Sequence, residues 1–457
     1  MVTNGLLGML HSSLELGLRL ERQGFEVTYS SPGPTEPLVR AHGLEFLPLD
    51  DDGYRDFIER DRERTLLHRW SHVRQRQAEA TDSLRLKEFT RALELQKPDL
   101  VLIDCEMHGH LLTALSSGCR TAVLSSFVSM RRLPGIPPPP RMGQPGRGWR
   151  GSRLGAWLIW NELRFKKWGL FNLRRIQNAA CDSETIYRRM AREMGLDDRR
   201  ELDTSQWQVP FNYRHLVTLT LHSRAFEFPH EAATTERFIG PLISDQRPDL
   251  RLGDTDRQRL DRLLDLHGSA GNGRKLVFAG FGSMKLAEGD FLSRLVDVFK
   301  RRPDWTLLGG IGARSREFMD ESLPKNVHLF EWLPQLEVLS KGDAALTHGA
   351  LHTNDECVRY AVPSVNYCAR ESDMAGTCSR AEFHGLGQTR SASRDSARDI
   401  ERALEEVLAD QAMAARLARM QARYRESADQ NLAENCVRDL LQSEPLYPSP
   451  RARSTNQ

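Results

Sequence analysis

The sequence predicts an α/β protein built as two Rossmann-like domains, each a parallel sheet wrapped by helices, with the sheets facing a central cleft. Three observations carry this. Short apolar runs alternate with amphipathic stretches along the whole chain, as strand–helix–strand crossovers require. The beat stops over a polar stretch ending in "GSAGNG" and restarts at "KLVFAGFGS". The 457 residues suffice for two domains of about 200 residues, each able to bury its own core.

The elements follow in order. "LHSSLELGLRLERQG" places Leu14 and Leu18 at helical spacing, and Gly24 closes that helix. "FEVTYSS" is a short buried strand stopped by Pro32, Gly33 and Pro34. "LEFLPL" reads as the next strand, and the charged stretch 52–96 as helical or partly mobile. "PDLVLIDC" (98–105) is nearly continuous apolar sequence, as a strand covered on both faces requires, and "CRTAVLSSF" succeeds it. From Arg131 to Arg153 the texture changes to "RRLPGIPPPPRMGQPGRGWRGSR", whose prolines and glycines cannot continue a helix or an inner strand. It reads either as a mobile surface loop or as a lid over a pocket, with Trp149 and Trp157 as apolar contacts. In the second half "WTLLGGIG", "VHLFEWL", "AALTHG" and "PSVNYC" supply strands, and "FLSRLVDVFKRR" a helix. The expected division is residues 1–242 for the first domain, 243–273 for a linker, 274–444 for the second domain with its terminal helices, and 445–457 for a disordered tail.

Composition narrows the function. Basic and acidic residues nearly cancel (64 against 62), so bulk charge offers no support for a nucleic-acid or membrane-surface partner. Seven cysteines without a CxxC pair suggest neither a disulfide framework nor a zinc site, and Cys357, Cys368 and Cys378 read as core fillers. The expected location is a reducing cytoplasm. There is no run of about 18 apolar residues and no secretory pattern at the start. A homodimer is compatible with the sequence.

The most informative stretch is 330–387. After the strand "AALT" come His348, Gly349 and Ala350, then the amphipathic "LHTNDECVRY". A helix N-terminus in that position offers free N–H groups and a positive dipole end, a natural seat for a diphosphate. His348 and Thr353 can add donors. Glu356, one turn after His352, can accept from ribose hydroxyls. Trp332 ends the preceding strand, placed to stack on a base, and Asp373 opens a helix where a carboxylate can hold sugar hydroxyls. His352 and Glu356 have the spacing of a metal pair but no third ligand, so no metal is expected.

This block resembles the donor-binding signature of the family 1 glycosyltransferases, the UDP-glycosyltransferase-like enzymes of the GT-B fold. Their pattern is roughly W-x-P-Q, H-G-G-x-x-S-x-x-E, G-V-P and D-Q. Here it reads Trp332-Leu333-Pro334-Gln335, His348-Gly349-Ala350 through Thr353 to Glu356, Ala361-Val362-Pro363 and Asp373-Met374. The resemblance implies that Trp332 stacks on the nucleobase and that Glu356 binds ribose. It further implies that His348, Thr353 and Ser283 hold the diphosphate and Asp373 the donor sugar. Two departures from the pattern matter. Ala350 replaces a glycine near the phosphates, and Met374 replaces a glutamine, which removes a sugar hydrogen bond and suits a less hydroxylated sugar than glucose.

In the same family the opening turn reads roughly G-H-x-N-P, and its histidine deprotonates the acceptor. Counting back from Gly24 puts Gly8 at the glycine, Met9 at the histidine, His11 at the asparagine and Ser12 at the proline. A thioether takes no proton. Asp104 stands where the histidine's partner belongs, so the orienting carboxylate survives without its imidazole. Three alternatives stay open: His11 takes over, His108 or His110 does, or no base is used. Only seven residues precede Gly8, so the innermost strand is expected to be largely absent, as if the true start lay upstream or the domain were degraded. The implied function is an inverting transferase moving a sugar from a UDP or dTDP donor to a hydroxyl of a hydrophobic small molecule, with the nucleotide sugar as co-substrate and no cofactor. The rival is a non-catalytic auxiliary protein that keeps the nucleotide-sugar site.

Overall fold

The structure, a computed structural model, describes residues 1–32, 34–49, 54–84, 86–207, 210–244, 247, 252–269, 273–281, 291–312, 323–369 and 372–443. The strands of the first half are β1 (Thr28–Ser31), β2 (Glu45–Pro48), β3 (Val101–Asp104), β4 (Thr121–Ser125), β5 (Leu202–Asp203), β6 (Asn212–Tyr213), β7 (Thr218–Thr220) and β8 (Glu236–Phe238). Those of the second half are β9 (Lys275–Gly280), β10 (Trp305–Gly310), β11 (Val327–Phe330), β12 (Ala344–Thr347), β13 (Ser364–Asn366) and β14 (Gly387–Thr389).

In the first half β3-β4-β7-β8 form one parallel row and β1-β2 a parallel pair, while β5 and β6 make a small antiparallel ribbon. Residues 1–3 join row and pair, because Val2 bridges Ser30 on one side and Ile103 on the other. Val2 N donates to Leu102 O at 2.8 Å, Asp104 N donates to Val2 O at 2.9 Å, and Thr3 N donates to Ser30 O at 3.0 Å. The central slot therefore holds a short strand segment, and the backbone groups expected to lack partners find them there.

The second sheet runs β11-β10-β9-β12-β13-β14, every pair parallel, which brings the carboxyl ends of β9 and β12 side by side. Two boundaries differ from the sequence reading. Helix Asp254–Ser269 falls inside the expected linker, yet its Leu260 and Leu264 are buried with Leu276 and Phe278 in the second core. Helix Leu432–Gln442 crosses back instead, burying Ala433 and Val437 with Leu14 and Leu221 of the first half. In both, an i,i+4 apolar pair finds its core where the chain path leads it. The expected tail, 445–457, lies outside the described residues.

The charged stretch folds as short helices (Tyr54–Arg62, Leu66–Ser71, Val73–Ser83, Lys87–Gln96), tied by buried Asp61 to Arg69 at 3.0 Å and to Arg76. The proline stretch is wedged between the halves. Trp160 Nε1 donates to Ile136 O at 2.9 Å, and Gly143 N donates to Ser379 Oγ at 3.2 Å. Pro139 presses on Gly376 so closely that a Cβ there would come within 2.7 Å of its Cα. This packing fits a lid and not a mobile surface loop. Trp149 and Trp157, expected as pocket contacts, are 62% and 53% exposed on the outside instead.

A buried ion pair also joins the halves, Glu227 to Arg380 at 2.6 Å. Burial alone would favour a neutral Glu227. Arg380, His222 and the Ser129 N–H outweigh it and hold the carboxyl well below the usual range. Among the described residues no helix is long and apolar enough to cross a membrane.

Candidate active site

In the second half the chain leaves β12, turns at His348 and Gly349, and enters helix Leu351–Arg359. Gly349 sits at φ +85°, and a Cβ there would collide with Cys378 Sγ, so the turn requires glycine. Ala350 caps the helix with extended backbone and makes no side-chain capping bond. The first N–H groups of this nine-residue helix thus have no side-chain cap and can serve as donors for an anion. His348 stands beside them, its Nδ1 3.4 Å from Gly280 O at the end of β9. Burial lowers the His348 pKa, while the Gly280 carbonyl and the Asp373 charge oppose the fall.

Glu356, buried one turn deeper, accepts from Arg247 Nη2 at 2.7 Å and from Gln335 Nε2. Gln335 Nε2 also lies 3.4 Å from Thr353 Oγ1. Between β11 and helix Gln335–Lys341, Trp332 is half-buried and Leu333 is buried in the core with Phe330. Asp373 opens helix Asp373–Phe383. Burial raises its pKa against its own N–H, that of Met374 and nearby His348. Met374 lies at the Gly349 turn, its Cβ 3.8 Å from where a Cβ on that glycine would stand. The carboxyl edge of one sheet thus gathers Trp332, Leu333, Gln335, His348, Gly349, Ala350, Thr353, Glu356, Asp373 and Met374. Ser283 lies outside the described residues. Arg247 carried no motif, and only its contact with Glu356 reveals it.

The first half differs more from expectation. The turn glycine is Gly5, at φ +76°, where a Cβ would come within 2.8 Å of Pro32 O. Helix Leu7–Arg22 then begins, so Gly8 and Met9 are helical. Met9 does not face the acceptor side; it is 3% exposed in an apolar cluster with Leu102 and Leu124. His11 lies about 200° further round the helix, away from that core. Its neighbour Ser12 reaches the second half, Oγ to His352 Nδ1 at 2.9 Å. Burial, with His222 and Arg247 adding to it, pushes the His352 pKa down to about 3.

Asp104, at the end of β3, is 1% exposed and accepts from Glu106 N at 2.9 Å and Asn4 N at 3.3 Å. Burial pushes its pKa up to about 6. Glu106, which sequence reasoning missed, opens onto the cleft and accepts from Asn4 Nδ2 at 2.8 Å. Desolvation raises its carboxyl, the Asn4 bond opposes, and the Asp373 charge from the other half adds to the rise. His108 and His110 are removed from the list of bases. His108 is buried among Tyr187, Phe211 and Tyr213. His110 packs on Phe89, with its pKa pushed down to about 4 by burial. Helix His108–Ser116 turns both rings into the first core.

Two parallel sheets meeting at such a cleft define the GT-B fold, and solved structures match over the full length. The glycosyltransferase of kitacinnamycin matches 96% of this chain and 98% of its own, with a TM-score of 0.66 at 21% identity. CalG4, the calicheamicin glycosyltransferase, matches 96% of each chain with a TM-score of 0.62 at 19% identity. By sequence the chain is 28% identical over 170 residues to oleandomycin glycosyltransferase of Streptomyces antibioticus, covering 37% of this chain and 38% of that one. It is 23% identical over 212 residues to NDP-glycosyltransferase YjiC of Bacillus subtilis (strain 168), covering 46% and 50%. The chain thus spans half or less of the length of these two relatives. No family model matches. The relatives of this GT-B chain, in sequence and in structure, are nucleotide-sugar glycosyltransferases of the natural-product type.

Proposed function

We propose that the protein is an inverting glycosyltransferase that moves a sugar from a nucleoside diphosphate to a hydroxyl of a hydrophobic natural product. The observation that carries this is the uncapped N-terminus of helix Leu351–Arg359 behind the Gly349 turn, with Asp373 on one side and Glu356 and Trp332 on the other. The acceptor oxygen attacks the anomeric carbon from the face opposite the diphosphate. As that bond forms, the bond from carbon to diphosphate oxygen breaks, and the helix N–H groups and His348 take up the charge of the leaving group. Trp332 and Leu333 bound the base, Gln335 and Thr353 steady Glu356 at the ribose, and Asp373 and Met374 meet the sugar. Hexosyl and deoxyhexosyl donors both fit these contacts, and Met374 favours the less hydroxylated sugar.

The acceptor proton goes to Glu106. Asp104 is enclosed and already accepts two backbone N–H groups, so it organises the Asn4 and Glu106 backbone instead of reaching substrate. His11 is the alternative base, beside the Ser12–His352 contact. Burial of Met9 favours a second reading, an auxiliary protein that binds the nucleotide sugar without turnover. Release of UDP or dTDP from a nucleotide sugar, dependent on an added aglycone, separates the two. The donor site itself is tested by calorimetric titration with UDP and dTDP. Trp332→Ala and Glu356→Ala should each weaken binding by roughly 1–3 kcal/mol, and unchanged affinity in both removes the assignment.

A further inference from the structure

Helix Arg153–Gln177 spans 25 residues, about 37 Å. The inner face of its first half is buried through Gly155, Ala156, Ile159, Trp160 and Leu163. The opposite face is apolar as well: Leu154, Trp157, Leu158, Phe165, Trp168 and Ile176 are 45–70% exposed. At helical pitch these six fall in one stripe about 100° wide, aimed away from the body. Soluble monomers rarely leave so long an apolar face open.

Charge identifies the occupant. Residues 147–177 hold eight basic side chains and one acidic, Glu162, giving +7 in a chain whose total is +2. The rest of the chain is therefore net negative, and near-neutral bulk charge conceals a strongly basic helix. Arg153, Arg164 and Arg175 line one edge of the stripe, all exposed, while beyond the other edge Lys166 pairs with Glu162 at 2.6 Å. The helix itself, Arg153–Gln177, holds six of these basic side chains and Glu162, so packing two such helices from two copies would set +5 against +5 with one acid on each to compensate. An apolar stripe with tryptophans and arginines along one edge matches a bilayer interface rich in anionic lipid.

We propose that helix Arg153–Gln177 seats the protein on an anionic bilayer, lying in the interface plane with its outward stripe among the acyl chains. The same helix holds the proline stretch through the bond from Trp160 to Ile136, so the mouth of the cleft would open next to the lipid. The lipid contact stands independently of the proposed reaction.

Sedimentation of the full chain with vesicles tests this. It should pellet with phosphatidylcholine–phosphatidylglycerol vesicles, stay largely in solution with phosphatidylcholine alone, and be released by salt. Phe165→Glu with Trp168→Glu should lower partitioning at least ~10-fold, with circular dichroism unchanged because both side chains are exposed. Arg164→Glu with Arg175→Glu should lower it by ~5-fold or more for each charge. Failure of the wild type to pellet with anionic vesicles overturns the proposal and leaves an acidic protein surface as the occupant. Pelleting that survives the Phe165 and Trp168 changes overturns it too, since the contact then lies elsewhere. A dimer in light scattering that the same two changes dissolve would assign the stripe to a second copy.

Discussion

Glu106→Gln tests the proposed proton-accepting step. The substitution keeps the side-chain volume and an oxygen for Asn4 Nδ2, now at 2.8 Å, but removes the basic site. Loss of a general base slows reaction by ~10²–10⁴-fold, about 3–5 kcal/mol of barrier. The proposed nucleotide site lies in the other half, so affinity for UDP or dTDP should stay within about twofold, less than 1 kcal/mol. The pH profile adds a second readout. Desolvation and Asp373 raise the Glu106 pKa from its ordinary value against the Asn4 bond. The wild-type rate on a neutral alcohol should therefore climb with pH as Glu106 ionises, and that acidic limb should vanish in Glu106→Gln. Asn4→Ala, which removes the bond that opposes the rise, should shift the limb to higher pH. Initial rates across pH 4–9 at saturating donor measure all three proteins. If Glu106→Gln keeps its rate and its limb while His11→Ala loses both, the base is His11 and the reasoning about the carboxylate fails.

Met9→His should not rebuild a catalytic pair, because position 9 is buried in the apolar cluster with Leu102. Burying an imidazole there should lower stability by roughly 2–4 kcal/mol in urea denaturation, and a gain in turnover would contradict the placement of that helix. Excess EDTA should leave the rate nearly unaltered if helix N–H groups neutralise the diphosphate; activity restored only by magnesium or manganese would show that a metal does it. Asp104 has a folded-state pKa of about 6 against an ordinary value of 3.8. At that carboxyl the native state binds more protons than the unfolded one, so its own contribution to stability falls as pH rises from about 4 to about 6, while His110 and His352, lowered to about 4 and about 3 by burial, act in the opposite sense. Asp104→Asn should remove that loss, gaining up to about 3 kcal/mol at pH 8 and little at pH 4. Asp355, also raised to about 6 by burial, and the buried histidines are common to both proteins, so the effect is read as the difference between wild type and Asp104→Asn. An unchanged slope would refute the burial argument.

How much could be read from sequence depends on how far apart the partners lie. The second-half site was legible because strand, glycine turn and helix follow one another without a gap from Ala344 to Arg359. Its residues are neighbours in the chain before they are neighbours in space. Counting back from Gly24 failed in the first half because helical spacing cannot separate a glycine in the first helical turn from one in the loop before it. What selects Gly5 over Gly8 is a left-handed backbone held against Pro32, a contact made across the sheet. Moving the turn three residues earlier carries Met9 into the core and leaves Ser12 facing the other half. Glu106 and Arg247 escaped for the same reason. Their partners Asn4 and Glu356 lie 102 and 109 residues away, and neither pairing has a local pattern. The short opening segment was misjudged in the opposite direction, since one bridge on each side of Val2 is enough to close the sheet. Position in the cleft is set by these long-range contacts, and so is the chemistry of the acceptor side. A carboxylate tied to Asn4 and facing Asp373 can serve where the opening turn carries no imidazole, and the missing histidine alone does not remove the means of catalysis.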